Sequence, residues 1–187
     1  MSKTAPDLSA ICVSCGLCCN GTLYHVAPLT RAEYDNLIAV LDLELDSKGQ
    51  AFLQLPCAAL EGTACTRYET RMNICRDYHC GVLEKVADGT LDQEAAVAIV
   101  AQARVLAGRL ADLMPPGGGA SSRITLTQRV KNRYQQIQKI PVSERTAGDN
   151  EFLLAAGSFL IILARHYNLE KLTMAAASKT DETPVKP

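Results

Sequence analysis

Tryptophan is absent from this chain of 187 residues, and aromatic side chains make up only 5% of it. So few rings leave little material for stacking on bases or sugars. The chain contains no P-loop, no G-x-G-x-x-G, no H-E-x-x-H and no G-x-S-x-G. Phosphate cradles, dinucleotide turns, helix-borne zinc-protease sites and nucleophile elbows therefore have no support. The missing glycine-rich cofactor loop weighs against methyltransferase chemistry without removing it. An excess of charge is lacking too: 19 basic and 20 acidic residues give a formal net charge of −1. A near-neutral total gives no electrostatic reason to expect nucleic acid or an anionic membrane as partner. The longest apolar run, Phe152 to Ala164, has thirteen residues and is interrupted by Gly157 and Ser158, whereas a spanning helix needs about 20. Met1 to Asp7 holds no apolar run that could act as a signal. These absences lead to the expectation of a soluble, cytoplasmic protein with neither a membrane nor a nucleic-acid partner.

What is present in unusual supply is cysteine, and it is confined. Cys12, Cys15, Cys18 and Cys19 lie within eight residues, Cys57, Cys65, Cys75 and Cys80 within 24, and none follows in the last 107. In a reducing cytosol such clusters point to metal or redox chemistry rather than disulfides. The first three stand at C-x2-C-x2-C spacing, which matches the opening of a bacterial ferredoxin run, but the next cysteine is adjacent instead of following after three residues. A short turn between two cysteines brings both sulfurs to one ion, and Gly16 suits such a turn because it tolerates positive φ. In extended backbone neighbouring Cβ atoms point to opposite sides, so Cys18 and Cys19 are poorly placed for one tetrahedral ion. Eight thiols divide into two sets of four, the usual ligand count for zinc or an iron–sulfur cluster. The expectation is that Cys12, Cys15 and Cys18 share a site with one downstream cysteine, while Cys19 joins the remaining three. Formal charge does not choose between the metals, since either kind of centre with four thiolates carries −2. Arg67, Arg71 and Arg76 could offset that charge or donate to sulfur; solvated surface arginines explain them equally well.

The rest of the chain reads as support. Residues 1–10 look like a loose leader, and Thr22 to Ala27 alternates as a short strand ended by Pro28-Leu29. Thr30 and Glu33 have capping-box spacing for a helix from about Arg31 to Leu41, and Phe52 to Leu55 reads as a second strand. Thr90-Leu91-Asp92-Gln93 suggests another capping box, before Ala96, Ile99, Val100, Ala103, Leu106, Leu110 and Leu113 recur at helical spacing. Pro115 to Gly119 breaks that helix. Leu126, Val130, Tyr134 and Ile137 mark a third helix, ended by Pro141, and a fourth runs from near Asp149 toward Met174. The fourth is apolar on nearly every side, as expected for the buried centre of a bundle. The fold expected is mainly α: a loop-rich, eight-cysteine N-terminal half with one short helix and two short strands, packed on about three C-terminal helices. It is read as a single domain over 1–187, with a metal-binding region at 10–85, a helical region at 90–175 and a disordered tail at 178–187.

Cys12-x2-Cys15-Gly16-x-Cys18-Cys19, then Cys57, then Cys65-x2-Tyr68-x2-Arg71-x3-Cys75-Arg76-x3-Cys80 together resemble the YkgJ-type cysteine-cluster family of zinc- or iron-chelating domains. The resemblance covers about residues 10–82 and departs at Met72, where that family commonly has Pro after the Arg. It implies metal binding through all eight cysteines and leaves the reaction, if any, open. A related cysteine-cluster region occurs in flagellin lysine N-methylases, which keeps an enzymatic reading beside the metal-binding one. That reading is an iron–sulfur or iron-dependent enzyme or accessory acting on a protein or peptide side chain.

Weaker candidates have plainer explanations. His79, next to Cys80, could replace a thiolate, but eight cysteines already suffice; His25 and His166 read as structural, and Tyr68 as a packed tyrosine. Arg123, Arg129, Lys131, Arg133 and Lys139, with no acid between Pro115 and Ser143, could face an acidic partner or nucleic acid. A solvated helix face accounts for them better, because only Tyr134 interleaves.

Overall fold

In a computed structural model the protein is described over residues 7–114 and 124–168. It is mainly α-helical, with seven helices and five short strands among those residues. The expected leader at 1–6, the Pro115–Gly119 breaker, Arg123, the extension to Met174 and the tail at 178–187 lie outside them.

The first departure from expectation comes at once. Helix α1 (Leu8–Cys15) begins where a leader was expected, with Asp7 accepting hydrogen bonds from the Ser9 and Ala10 amides, and ends at Gly16 with φ 67°. Only the left-handed conformation ends the helix there, which is the role for glycine at this position. Strand β1 (Val26–Leu29) lies later than the 22–27 expected and includes Pro28. The proline is tolerated because β1 is an edge strand in the antiparallel order β1–β3–β2, with β2 at Leu43–Leu45 and β3 at Ala51–Gln54. Helix α2 (Arg31–Leu37) carries the expected Thr30–Glu33 capping box. It packs on the sheet through Leu37, within a cluster that includes Leu29, Leu53, Ala59 and Met72. Met72, 6% exposed, is thus a core residue as well as the N-cap position of the next helix.

A two-strand hairpin follows (β4, Leu60–Glu61; β5, Ala64–Cys65), then two short helices, α3 (Asn73–Asp77) and α4 (Gly81–Ala87). The sequence gives no expectation of a helix here, since five- and seven-residue pieces leave no readable period.

Helix α5 (Gln93–Leu113) is capped by Asp92, which accepts from the Ala95 amide. Thr90, expected to open a capping box, instead donates its hydroxyl to Asp88 and the Lys85 carbonyl. Helix α6 (Leu126–Gln138) and helix α7 (Ala147–His166) complete the set. Ile11, Leu17 and Leu23 from the cysteine-bearing segment share one buried cluster with Val82 and Leu83 of α4, Val100 and Leu110 of α5, Val130 of α6 and Phe159 of α7. So α7 is not buried on every side: Phe152, Ala155, Ala156, Phe159 and Leu163 face the core, while Leu154 is 75% exposed. With 20 residues and a mean hydropathy of 1.4 it is long and apolar enough to cross a membrane by length and composition. The apolar run Phe152 to Ala164 is only thirteen residues, and the helix is longer because it extends through its polar first turn and through Arg165 and His166.

Candidate metal centre

All eight cysteines are free thiols. Cys12 and Cys15 sit three residues apart on α1, hence on one helical face, rather than on the short turn expected. After Gly16 the chain makes a tight turn closed by Asn20 N donating to Gly16 O, and Cys18 and Cys19 lie inside it. Cys19 is tied to the second cluster through the backbone: the Cys57 amide donates to the Cys19 carbonyl at 2.8 Å. Cys65 ends β5, Cys75 lies on α3 and Cys80 is the N-cap of α4. Two stretches nearly forty residues apart in the chain therefore supply one region of the surface layer.

The electrostatics reveal who faces whom. The Cys15 thiol is raised to about 11, chiefly by burial and also by the thiols of Cys80 and Cys12, against the lowering effect of the Leu17 amide and the Tyr167 hydroxyl. Cys18 is raised by burial and then by Cys15, Cys80, Cys19 and Cys12. Cys19, raised by burial to about 12, feels Cys75, Cys12, Cys57 and Cys65. Cys75, also at about 12 through burial, feels Cys57, Cys65 and Cys12. Two neighbourhoods emerge, one of Cys15, Cys18 and Cys80 and the other of Cys19, Cys57, Cys65 and Cys75. The adjacent pair Cys18–Cys19 lies in a turn rather than extended backbone, and Cys18 is raised more by Cys15 and Cys80 than by Cys19. Cys12 stands between: burial raises its pKa, then Cys80 from one group and Cys65 from the other.

Cys12, Cys18, Cys19, Cys57, Cys65 and Cys75 line one cavity of about 170 Å³. Among the described residues, no three His, Cys, Asp or Glu side chains are drawn closely enough together to hold an ion as they stand. The chemistry of the donor set nevertheless fits a thiophilic cation. Neutral thiols have no reason to close on a point, whereas the same sulfurs as thiolates repel until a cation joins them.

Arg71 adds positive charge at the right place. Its guanidinium stacks 3.8 Å from the Tyr68 ring centroid, donates to the Tyr68 carbonyl at 2.7 Å, and lowers the pKa of both Cys12 and Cys75 against the effect of burial. Arg76 is used structurally, donating to the Arg71 and Glu69 carbonyls. Arg67 lines the cavity with a buried Nε that has no partner. His79 also lines it, from an exposed position. His25 is exposed beside a second, wider groove, and His166 lies at the end of α7 with its pKa lowered by burial. Arg133 is paired with Asp149 at 3.0 Å, so part of the basic run serves the α6–α7 contact.

Sequence reasoning missed three tyrosines. Tyr24 and Tyr78 meet edge to face, with hydroxyl oxygens 2.5 Å apart. Both feel Cys18 and Cys80. Tyr167, beyond the last turn of α7, is fully buried beside Cys15. None lies at a spacing that ties it to the cysteines, so only the fold could bring them there.

Residues 11–95 match the CxxCxxCC family, described as "Putative zinc- or iron-chelating domain". The match takes in every cysteine and stops within the first turn of α5. No curated protein and no solved structure matches the chain.

Proposed function

From the match of residues 11–95 to the CxxCxxCC family model, we propose that this protein binds zinc or iron through its eight cysteines in two sets. Cys15, Cys18 and Cys80 form the first set with Cys12 as fourth ligand; Cys19, Cys57, Cys65 and Cys75 form the second. The observation that carries this is the pattern of thiol neighbours: Cys18 is raised by Cys15 and Cys80 ahead of Cys19 and Cys12, whereas Cys19 is raised by Cys75, Cys12, Cys57 and Cys65. Thiolates suit zinc and iron–sulfur clusters alike. Four-sulfur zinc is a closed, structural site, because a catalytic zinc keeps a position open for water or substrate. On that account the protein is a binding or adaptor module working in a reducing compartment such as the cytoplasm.

Anaerobic purification followed by elemental analysis and a visible spectrum tests the proposal. A colourless protein with about two zinc ions per chain, as two four-ligand sets require, supports structural zinc. Brown protein containing sulfide, bleached by oxygen, supports iron–sulfur. Protein that takes up neither metal defeats the reading.

An enzymatic role as an iron–sulfur or iron-dependent protein, acting on a protein or peptide side chain in the manner of a flagellin lysine N-methylase, draws on one observation. A groove of about 750 Å³ runs along α5 and reaches Cys15, with Arg104 and Arg129 on its walls. Its volume is that of a ligand-binding cleft. Iron in the purified protein, with electron transfer or turnover on a peptide, is the outcome that favours this role over the structural one.

A further inference from the structure

Helix α7 lies outside the family segment, yet its end is locked onto the helix that follows Cys80. A Cβ on Gly81 would lie 2.7 Å from the His166 carbonyl oxygen, so α4 and the end of α7 approach as closely as a glycine allows. Lys85 Nζ donates to the Arg165 carbonyl at 2.6 Å, and Asn168 Nδ2 donates to Glu84 Oε2 at 3.0 Å. Between these anchors sits Tyr167, fully buried, with its backbone amide donating to Leu163 O at 3.0 Å. Its hydroxyl is buried without a partner at full hydrogen-bond geometry. Cys15, Cys18 and Cys80 pack against the buried cluster that contains it, and of these thiols Cys15 acts on the hydroxyl most strongly, both by charge and by hydrogen bonding.

A buried phenol without a partner costs stability unless something else satisfies it. Tyr24 and Tyr78 satisfy each other; Tyr167 has no such neighbour. A neutral thiol accepts a hydrogen bond weakly, whereas a thiolate is an anionic acceptor and binds a donor strongly. We propose that Tyr167 is a positioning residue of the metal centre, its hydroxyl donating to the Cys15 sulfur when that sulfur is a metal-bound thiolate. This rests on the metal-binding reading given above and extends it: the C-terminal helices supply part of the first set's surroundings instead of only supporting it. Groups that hydrogen-bond to ligands fix their orientation, and their removal typically costs ten- to a hundredfold in metal affinity.

The test uses the full chain, loaded anaerobically with zinc and titrated with a chelator. Wild type is compared with Tyr167→Phe, Cys15→Ser and the double variant, and the metal-free proteins are melted in parallel. Tyr167→Phe is expected to release zinc at roughly tenfold lower chelator concentration. Its metal-free form is expected to melt at the wild-type temperature or above, because the substitution removes an unsatisfied buried group. In the Cys15→Ser background the same substitution is expected to change zinc release no further. Unchanged release by Tyr167→Phe overturns the proposal. So does a metal-free form destabilised as much as the loaded one, or an undiminished effect in the Cys15→Ser background. A wild-type protein that takes up no metal defeats the binding reading itself, an outcome distinct from a wild type that binds and a variant that binds equally well.

Discussion

A thiol enclosed among other thiols is harder to ionise than one in water, because burial and each neighbouring thiolate disfavour the charge. In the metal-free protein this sets a definite pH window. The folded pKa values of Cys15, about 11, and of Cys19 and Cys75, about 12, lie above the ordinary 9.0. Their contribution to stability is therefore complete below pH 9, the unfolded value, and is lost as pH rises through the folded values. Urea unfolding of the metal-free protein at a series of pH values from 7 upward is expected to show stability falling above about pH 9. Metal retention runs the other way. Each thiol must give up a proton to bind, so every proton displaced weakens binding about tenfold for each unit the pH falls. Chelator competition between about pH 8 and pH 6 is expected to show that loss, and pH-independent retention would mean that thiolates are not the ligands. Single Cys→Ser substitutions separate the sets: Cys18→Ser and Cys19→Ser are expected to release different ions. Loss of all metal from each would indicate one shared cluster with Cys12 at its centre.

At the scale of elements, the long helices were readable in the sequence and the cysteine-bearing ones were not. Leu126, Val130, Tyr134 and Ile137 repeat with the helical period and all pack on the core, joined by the buried Thr127 that the pattern missed, and in α5 Ala107 completes the buried stripe of Ala96, Val100, Ala103 and Leu110. Helices α1, α3 and α4 are too short to show a period, and their positions follow from Asp7 capping, from the Met72 anchor and from the close contact at Gly81. A four-and-four division with Cys18 and Cys19 parted is an expectation from the sequence; that the Cys80 thiol neighbours those of Cys15 and Cys18 emerges only from the fold. Two glycines measure how tightly these helices are held. Gly157 in the interior of α7 has nothing within 4 Å of an added Cβ, so Gly157→Ala is expected to stabilise by about 0.5–1 kcal/mol. Gly81→Ala, facing the His166 carbonyl at 2.7 Å, must push α4 and α7 apart and is expected to cost about 1–3 kcal/mol. Thermal melts of the two variants should shift in opposite directions. Because Gly81 follows Cys80, Gly81→Ala should also weaken metal retention, and Gly157→Ala should leave it alone.

For the molecule as a whole, the consequence lies in the shared core. Ile11, Leu17, Leu23 and Val82, which flank the cysteines, are buried with Val100, Leu110, Val130 and Phe159 of the long helices. The thiol region and the helical region are thus packed together, and ordering one orders the other. An ion that binds the folded form alone stabilises it by about 4 kcal/mol per site when free ion exceeds its dissociation constant a thousandfold. Around the cysteines the elements are strands of two to four residues and helices of five to eight, which hold few hydrogen bonds of their own and sit at the low-stability end of the molecule. Metal removal by a chelator is therefore expected to lower the melting temperature and to raise amide exchange first in residues 8–80. Amides of α5 and α7, whose helices span 21 and 20 residues, should stay protected longer. The Phe159→Ala substitution supplies the opposite perturbation: emptying the centre of the shared core is expected to cost about 3–5 kcal/mol. It should weaken metal retention as well, although Phe159 is not a metal ligand, since an ion that selects the folded form is held less firmly when that form is rarer. Equal exchange in both regions after metal removal, together with metal retention indifferent to Phe159→Ala, would show that the ions and the helices stabilise themselves independently.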